Sequence, residues 1–274
     1  MTNGYVNTNG VRLWYEELGP PDGEAVVLVM GATASAISWP DELLDALTDA
    51  GYRVVRFDNR DIGLSTHIDF AANPYTLDDM TTDTVGLIDA LGVDRAHFVG
   101  ASMGGMISQL MALRHPDRVR SLALLITSPG PDDRLSTTSE EVIATAARPV
   151  TSDVELADRT VDLWRVLTGS RFPFEEAPWR ALAARDAARG TNPNSAHAIA
   201  VFTAPSRIEA LASVDVPTLV VHGTEDPIFP IDHGETLAKA IPGARLVTWE
   251  GVGHEIPGPL GPELVALLLE HMAS

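Results

Sequence analysis

Short apolar runs alternate with segments of helical period along most of the chain. The run Ala25-Val26-Val27-Leu28-Val29-Met30 is apolar at every position, the pattern of a strand buried on both faces. Residues 11–18 alternate instead and read as an antiparallel edge strand. Residues 52–57, 96–99, 121–126, 218–222 and 245–249 are the other predicted strands. Between them, residues 40–50 place Leu43, Leu44 and Leu47 on one side of a helix. Residues 76–91 read as a helix with Thr76 as N-cap, Asp79 three residues on and Gly92 as the stop. Met106, Leu110 and Leu113 sit at helical spacing, and Pro116 ends that helix. Residues 262–272 form the last predicted helix, with proline at its first position.

The alternation stops at Pro129-Gly130-Pro131. From there to about Ala212 the pattern predicts helices alone, over residues 142–147, 154–167, 179–188 and 196–202. Repeated β-α units imply an α/β fold with a mainly parallel sheet covered on both faces. A helical block inserted between two strands is expected to cap one edge of it. The expected division is a core of residues 1–128 and 213–274 and a cap of residues 129–212.

Composition narrows the function classes. The 274 residues, 45% of them hydrophobic, suffice for one large domain with an insertion. Nineteen basic against 38 acidic residues give a formal net charge of −19, dispersed along the chain. Such a surface repels nucleic acid and anionic membrane, so neither is expected as a partner. The absence of cysteine excludes disulfides, thiol catalysis and Cys-ligated zinc. The polar start Met1-Thr2-Asn3-Gly4-Tyr5 has no signal-peptide core, and no apolar stretch is long enough to span a bilayer. A soluble cytoplasmic protein is the expectation.

Chemistry gathers where predicted strands end, because ligands of open parallel sheets bind beyond their carboxyl ends. Ser102 lies in Gly100-Ala101-Ser102-Met103-Gly104, between a strand and a helix, where flanking glycines permit a tight bend that exposes the hydroxyl. Met30-Gly31-Ala32, Gly223-Thr224-Glu225-Asp226-Pro227 and Gly251-Val252-Gly253-His254 follow three other strands. Serine, carboxylate and histidine thus occur in chain order at strand ends, the elements of a hydrolytic triad. Asp226 could instead cap the next turn, and Glu225 competes with it. His222 reads as a structural histidine. His67, His97, His115, His197, His233 and His271 read as surface or packing residues. No His or carboxylate spacing predicts a metal site.

These segments, with Asp58-Asn59-Arg60-Asp61-Ile62-Gly63-Leu64-Ser65, resemble the α/β-hydrolase family over nearly the whole length. Leu28-Val29-Met30-Gly31, the run Phe70-Ala71-Ala72-Asn73-Pro74-Tyr75 and Asp226-Pro227-Ile228 are similar to the aclacinomycin methylesterase-like carboxylesterases. The resemblance implies an eight-stranded, mainly parallel sheet with an inserted helical cap. It implies Ser102 as nucleophile, His254 as base and Asp226 as its orienting acid, with an oxyanion hole from the backbone N–H groups of Met103 and Ala32. Many members carry histidine where Met30 stands, a change that bears on loop support. Gly31, Trp39 and Phe229 beside the catalytic segments, and Trp164 and Phe174 in the cap, are the candidate substrate contacts. Met103, Phe172, Trp179 and Phe202 are further candidates. Glu175-Glu176 could bind a substrate ammonium or simply solvate a helix start. The implied activity is cofactor-free hydrolysis of a small-molecule carboxylic ester, a methyl ester or lactone among them. Perhydrolysis, C–C bond hydrolysis and low-turnover ligand reception are the alternatives, and a homodimer is an open option for assembly. Haloalkane dehalogenase or epoxide hydrolase chemistry would require a carboxylate at position 102.

Overall fold

Eight strands form one sheet: β1 Thr2–Thr8, β2 Val11–Leu18, β3 Ala25–Val29, β4 Arg53–Phe57, β5 Ala96–Ala101, β6 Val119–Leu125, β7 Thr218–Gly223 and β8 Arg245–Trp249. Their order is β1-β2-β4-β3-β5-β6-β7-β8. β1 and β2 pair antiparallel, as do β2 and β4, and all later neighbours are parallel. The computed structural model describes residues 1–190, 192 and 194–273. Thr191 and Pro193, inside the expected cap, and Ser274 lie outside these.

β3, β5 and β7 are buried at every residue, as their apolar runs require. One face of the sheet packs Leu87 of α2 (Leu77–Ala90), Ile107 of α3 (Met103–Arg114) and Leu237 of α8 (Ile231–Ala240). The other packs Leu44 of α1 (Asp41–Asp49) and Leu268 of α9 (Gly261–Met272). α2 starts on a reciprocal capping box between Thr76 and Asp79.

Two elements go beyond the sequence pattern. β1 is mostly exposed and polar and pairs only with β2, so β2 lies one strand inside the edge. α8 carries Gly234 in its interior, where a Cβ would come within 2.7 Å of the His222 ring. That close approach, rather than helix propensity, explains the residue.

Among the described residues four α-helices run between β6 and β7, α4 Glu140–Ala146, α5 Asp153–Leu167, α6 Glu176–Arg189 and α7 His197–Phe202, followed by the 3-10 turn Ala210–Ser213. Among the described residues this segment contains no strand, and no helix is long and apolar enough to cross a membrane. β3 lies between β4 and β5, and the chain leaves β3 and β5 toward opposite faces of the sheet, into α1 and α3 respectively. This switch point sets the loop after β3 beside the turn after β5.

Candidate active site

Ser102 occupies the turn between β5 and α3 with φ 54° and ψ −119°, a conformation that costs a non-glycine residue about 1–3 kcal/mol. Its surroundings over-determine it. Ser102 N–H donates to the Leu125 carbonyl at 2.9 Å, and its carbonyl accepts from Thr127 Oγ1 at 2.6 Å and Gly105 N–H at 2.9 Å. A Cβ on Gly104 would run into the Val29 carbonyl, so only glycine lets α3 pack this closely on β3. The side chain is left half-buried at the carboxyl end of the sheet.

Ser102 Oγ lies 3.0 Å from His254 Nε2, and His254 Nδ1 lies 2.7 Å from Asp226 Oδ2. The other carboxylate oxygen of Asp226 accepts from the Ile228 and Phe229 N–H groups at 2.8 and 2.9 Å. That fixes the carboxylate plane and aims Oδ2 at the imidazole. His254 Nδ1 therefore carries the proton, and its Nε2 lone pair faces the hydroxyl. The edge of Phe229 packs on His254, with ring centroids 5.6 Å apart. His222 is wholly buried and donates from Nε2 to the Phe229 carbonyl at 2.7 Å, holding the loop that holds Asp226. Glu225 is no rival. It accepts from Ser170 N–H and Oγ, both at 2.7 Å, and ties the segment after α5 to the core. His254 N–H donates to the Leu167 carbonyl at 2.8 Å, so the histidine loop also rests on that segment.

Two backbone segments border Ser102. Met103 opens α3, where first-turn N–H groups lack intrahelical acceptors. Ala32 follows Gly31, where a Cβ would crowd Ser102 Cβ at 3.1 Å. A hydroxyl hydrogen-bonded to an imidazole can attack an acyl carbon, and the Met103 and Ala32 N–H groups are the candidates to stabilise the resulting oxyanion.

The stretch 58–65 braces this arrangement. Asn59 Nδ2 donates to the Met30 carbonyl at 3.1 Å and so supports the loop after β3. Asp58 accepts from Ala36 N–H, Leu64 N–H and Arg189 Nη2, at 2.8, 2.9 and 2.8 Å. Asp61 accepts from Ile68 N–H, Asn192 Nδ2, Tyr75 Oη and Ala196 N–H. Burial and the bond to Asp61 push the Tyr75 hydroxyl well above its ordinary range. Ser35 Oγ bonds the carboxylate of Asp186, which burial pushes above the usual carboxylate range. Arg189, Asn192, Ala196 and Asp186 belong to the cap segment, so these residues lock it over the β3 loop.

The other candidates fall in different places. Trp39 is a correction. It is 0% exposed in the core cluster with Leu43 and Trp249, and a side chain without accessible surface offers nothing to a ligand. Trp164 stacks on Trp179 at 3.9 Å, and Phe174 lies under Arg165, so the contacts of both are with other cap side chains. Phe202 is half-exposed and lies 6.4 Å from Phe229. Glu176 pairs with Arg165 and Arg180 at 2.9 and 2.7 Å. His197, read from sequence as a surface or packing residue, is wholly buried and bonded to the β3 loop. Among the described residues no group of three His, Asp or Glu side chains could hold a metal ion.

Burial lowers the basicity of both His197 and His222, against the attraction of Asp61 and of Asp226 respectively. Arg60 near His197, and His254 and His233 near His222, act in the same direction as burial. Below about pH 6.5 the unfolded chain protonates these rings and the folded chain does not, so stability falls as pH falls. Urea midpoints should therefore fall as pH drops from 7 to 5.5, with His97 and His271, whose basicity burial also lowers, acting in the same direction. Asp83, Asp186 and Glu255, raised by burial, act with the opposite sign nearer the carboxylate range. Stability that is flat or rising over pH 7 to 6 would contradict neutral buried rings.

Comparison with known proteins agrees with this architecture. The family model described as the alpha/beta hydrolase fold matches residues 24–257. Rhodomycin D methylesterase of Streptomyces sp. (strain C5) is 33% identical over 297 residues, covering 99% of this chain and 98% of that protein. Epoxide hydrolase A of Mycobacterium tuberculosis is 30% identical, covering 99% and 97%. An esterase from Exiguobacterium antarcticum superimposes with a TM-score of 0.84 at 22% identity, over the full length of both chains. The family match spans most of the chain, and a relative 33% identical covers nearly all of it: this protein belongs to the alpha/beta-hydrolase family.

Proposed function

We propose that the chain hydrolyses carboxylic esters, methyl esters among them, through a serine acyl-enzyme. One observation carries the reading. Ser102, His254 and Asp226 form an unbroken line of hydrogen bonds, at 3.0 and 2.7 Å, on a strained turn. Ser102 Oγ attacks the ester carbonyl carbon as its proton passes to His254 Nε2. The carbonyl π electrons move to oxygen, opposite the N–H groups of Ala32 and Met103. Collapse breaks the C–O bond to the alcohol, which leaves with the proton from His254. Water then gives a proton to His254 and attacks the acyl carbon. Release of the acid returns that proton to Ser102. Asp226 keeps the imidazole in the required tautomer and stabilises its charged form.

The methylesterase relative supports a methyl ester as the first substrate to try. Opening an epoxide in this fold calls for a carboxylate nucleophile, so serine at position 102 favours ester over epoxide chemistry despite the similarity to an epoxide hydrolase. The test combines a panel of methyl, longer alkyl and aryl esters with fluorophosphonate labelling and peptide mass mapping. The expected outcome is multiple turnover of at least one methyl ester and one label per chain, on Ser102. One equivalent of product without a steady state would favour a ligand receptor, and labelling elsewhere would overturn the assignment.

A further inference from the structure

The loop after β3 has as its one regular element the 3-10 turn Ala36–Ser38, among the described residues, yet it must present one N–H group to the reacting oxygen. Four side chains bond it at 3.1 Å or less, besides Arg56 Nη1 at 3.5 Å from the Ala36 carbonyl. Asn59 and Asp58 grip it from the core, at the Met30 carbonyl and the Ala36 N–H. Asp186 and His197 grip it from the cap, at Ser35 Oγ and the Thr33 N–H. The His197 contact is the nearest of the four to Ala32. Thr33 itself has φ 61°, a conformation a β-branched residue adopts only under constraint.

The geometry at His197 admits one protonation pattern. Its Nδ1 lies 3.0 Å from Thr33 N, a donor, and its Nε2 lies 2.7 Å from the Arg60 carbonyl, an acceptor. The ring must therefore be neutral, with the proton on Nε2 and a lone pair on Nδ1. The ring is 0% exposed and packs edge-on against Tyr75, 6.3 Å between centroids, and Tyr75 bonds Asp61. Asp61 also accepts from the Ala196 N–H, the residue before the histidine. The imidazole thus has little freedom to move, and neither does the amide it holds.

We propose that His197 is a positioning residue for the oxyanion hole: its Nδ1 lone pair fixes the Thr33 N–H and thereby the aim of the adjoining Ala32 N–H. This rests on the ester-hydrolase reading above. It gives a cap residue a role in the rate of the chemical step as well as in enclosing the substrate. A misplacement of about 1 Å in such a group can cost up to roughly 100-fold in rate, which sets the scale of the effect.

Two amides separate the two bonds of the ring. The oxygen of asparagine stands near where Nδ1 stands and accepts from Thr33. The amide nitrogen of glutamine stands near where Nε2 stands and donates to the Arg60 carbonyl. His197→Asn, His197→Gln and His197→Phe should be compared with Ser102→Ala on an activated acetate ester, with thermal midpoints and inhibition by a boronic acid measured in parallel. His197→Asn is expected to keep kcat within about 5-fold of the parent. His197→Gln and His197→Phe should lose about 10–100-fold in kcat with KM within about 3-fold, and boronate binding should weaken by a similar factor. Equal kcat in the Asn and Gln variants, a loss confined to KM, or failure of both amide variants to fold would overturn the proposal in favour of a purely structural histidine. Survival of activity in Ser102→Ala would instead overturn the ester-hydrolase reading itself, so the two failures are distinguishable.

Discussion

Ser102→Ala should lower ester turnover by about 10⁵-fold or more while leaving the fold in place. The side-chain oxygen is the atom that forms the acyl bond, and no other hydroxyl meets His254 Nε2 among the described residues. Loss of Oγ removes one hydrogen bond, of roughly 1 kcal/mol, so the thermal midpoint should move by only a few degrees. A second variant separates nucleophile from strain. Ser102→Gly lacks the same oxygen but tolerates φ 54°, so it should be inactive and about 1 kcal/mol more stable than Ser102→Ala. Kinetics with a methyl ester and calorimetry on the three proteins check both statements. Turnover by Ser102→Ala within tenfold of the parent would end the assignment of Ser102 as nucleophile.

The triad is readable because each member lies within a few residues of a predicted strand's carboxyl end. β5 and β7 are buried at every residue because both faces are covered, and Asp226 and His254 sit in the loops that follow β7 and β8. Asp226 could be chosen over Glu225 in space because two backbone N–H groups converge on it while Glu225 turns outward to Ser170. β1 was not readable. Its residues are mostly polar and exposed, and it is held by pairing with β2 rather than by burial. The work of residues 58–65 was hidden for a different reason. The stretch stands out as a motif, but the partners that give Asp58 and Asp61 their roles lie 131 to 135 residues away in sequence. Trp39 shows the reverse error. Nearness to Gly31 in sequence suggested a pocket wall, whereas packing turns the indole into the core. His197 carries no local signal at all, since both of its bonds reach across the chain, by 164 and 137 residues.

Asp61→Ala is expected to cost about 3–5 kcal/mol of stability, the larger part of what holds one cap edge to the core. The carboxylate is 0% exposed and takes four donors: Ile68 N–H at 2.9 Å, Asn192 Nδ2 at 2.6 Å, Tyr75 Oη at 2.8 Å and Ala196 N–H at 3.0 Å. Removing it strands buried donors, each worth about 1–3 kcal/mol, although water entering the space offsets part of the sum. Alanine also adopts φ 72° less readily than aspartate, adding about 1 kcal/mol. Asp61→Asn keeps the shape and tolerates the backbone, but it offers an N–H₂ group to one pair of donors, so about 2 kcal/mol should be lost. The order parent, Asn, Ala in urea midpoints is therefore the expected result. At the scale of this chain, the alanine variant should melt roughly 10 °C lower. Because Ala196 precedes His197, kcat should fall in the same order at temperatures where all three proteins remain folded. An alanine variant within 1 kcal/mol of the parent would mean that the cap is held by Asp58, Arg189 and the Leu167–Arg171 segment without Asp61.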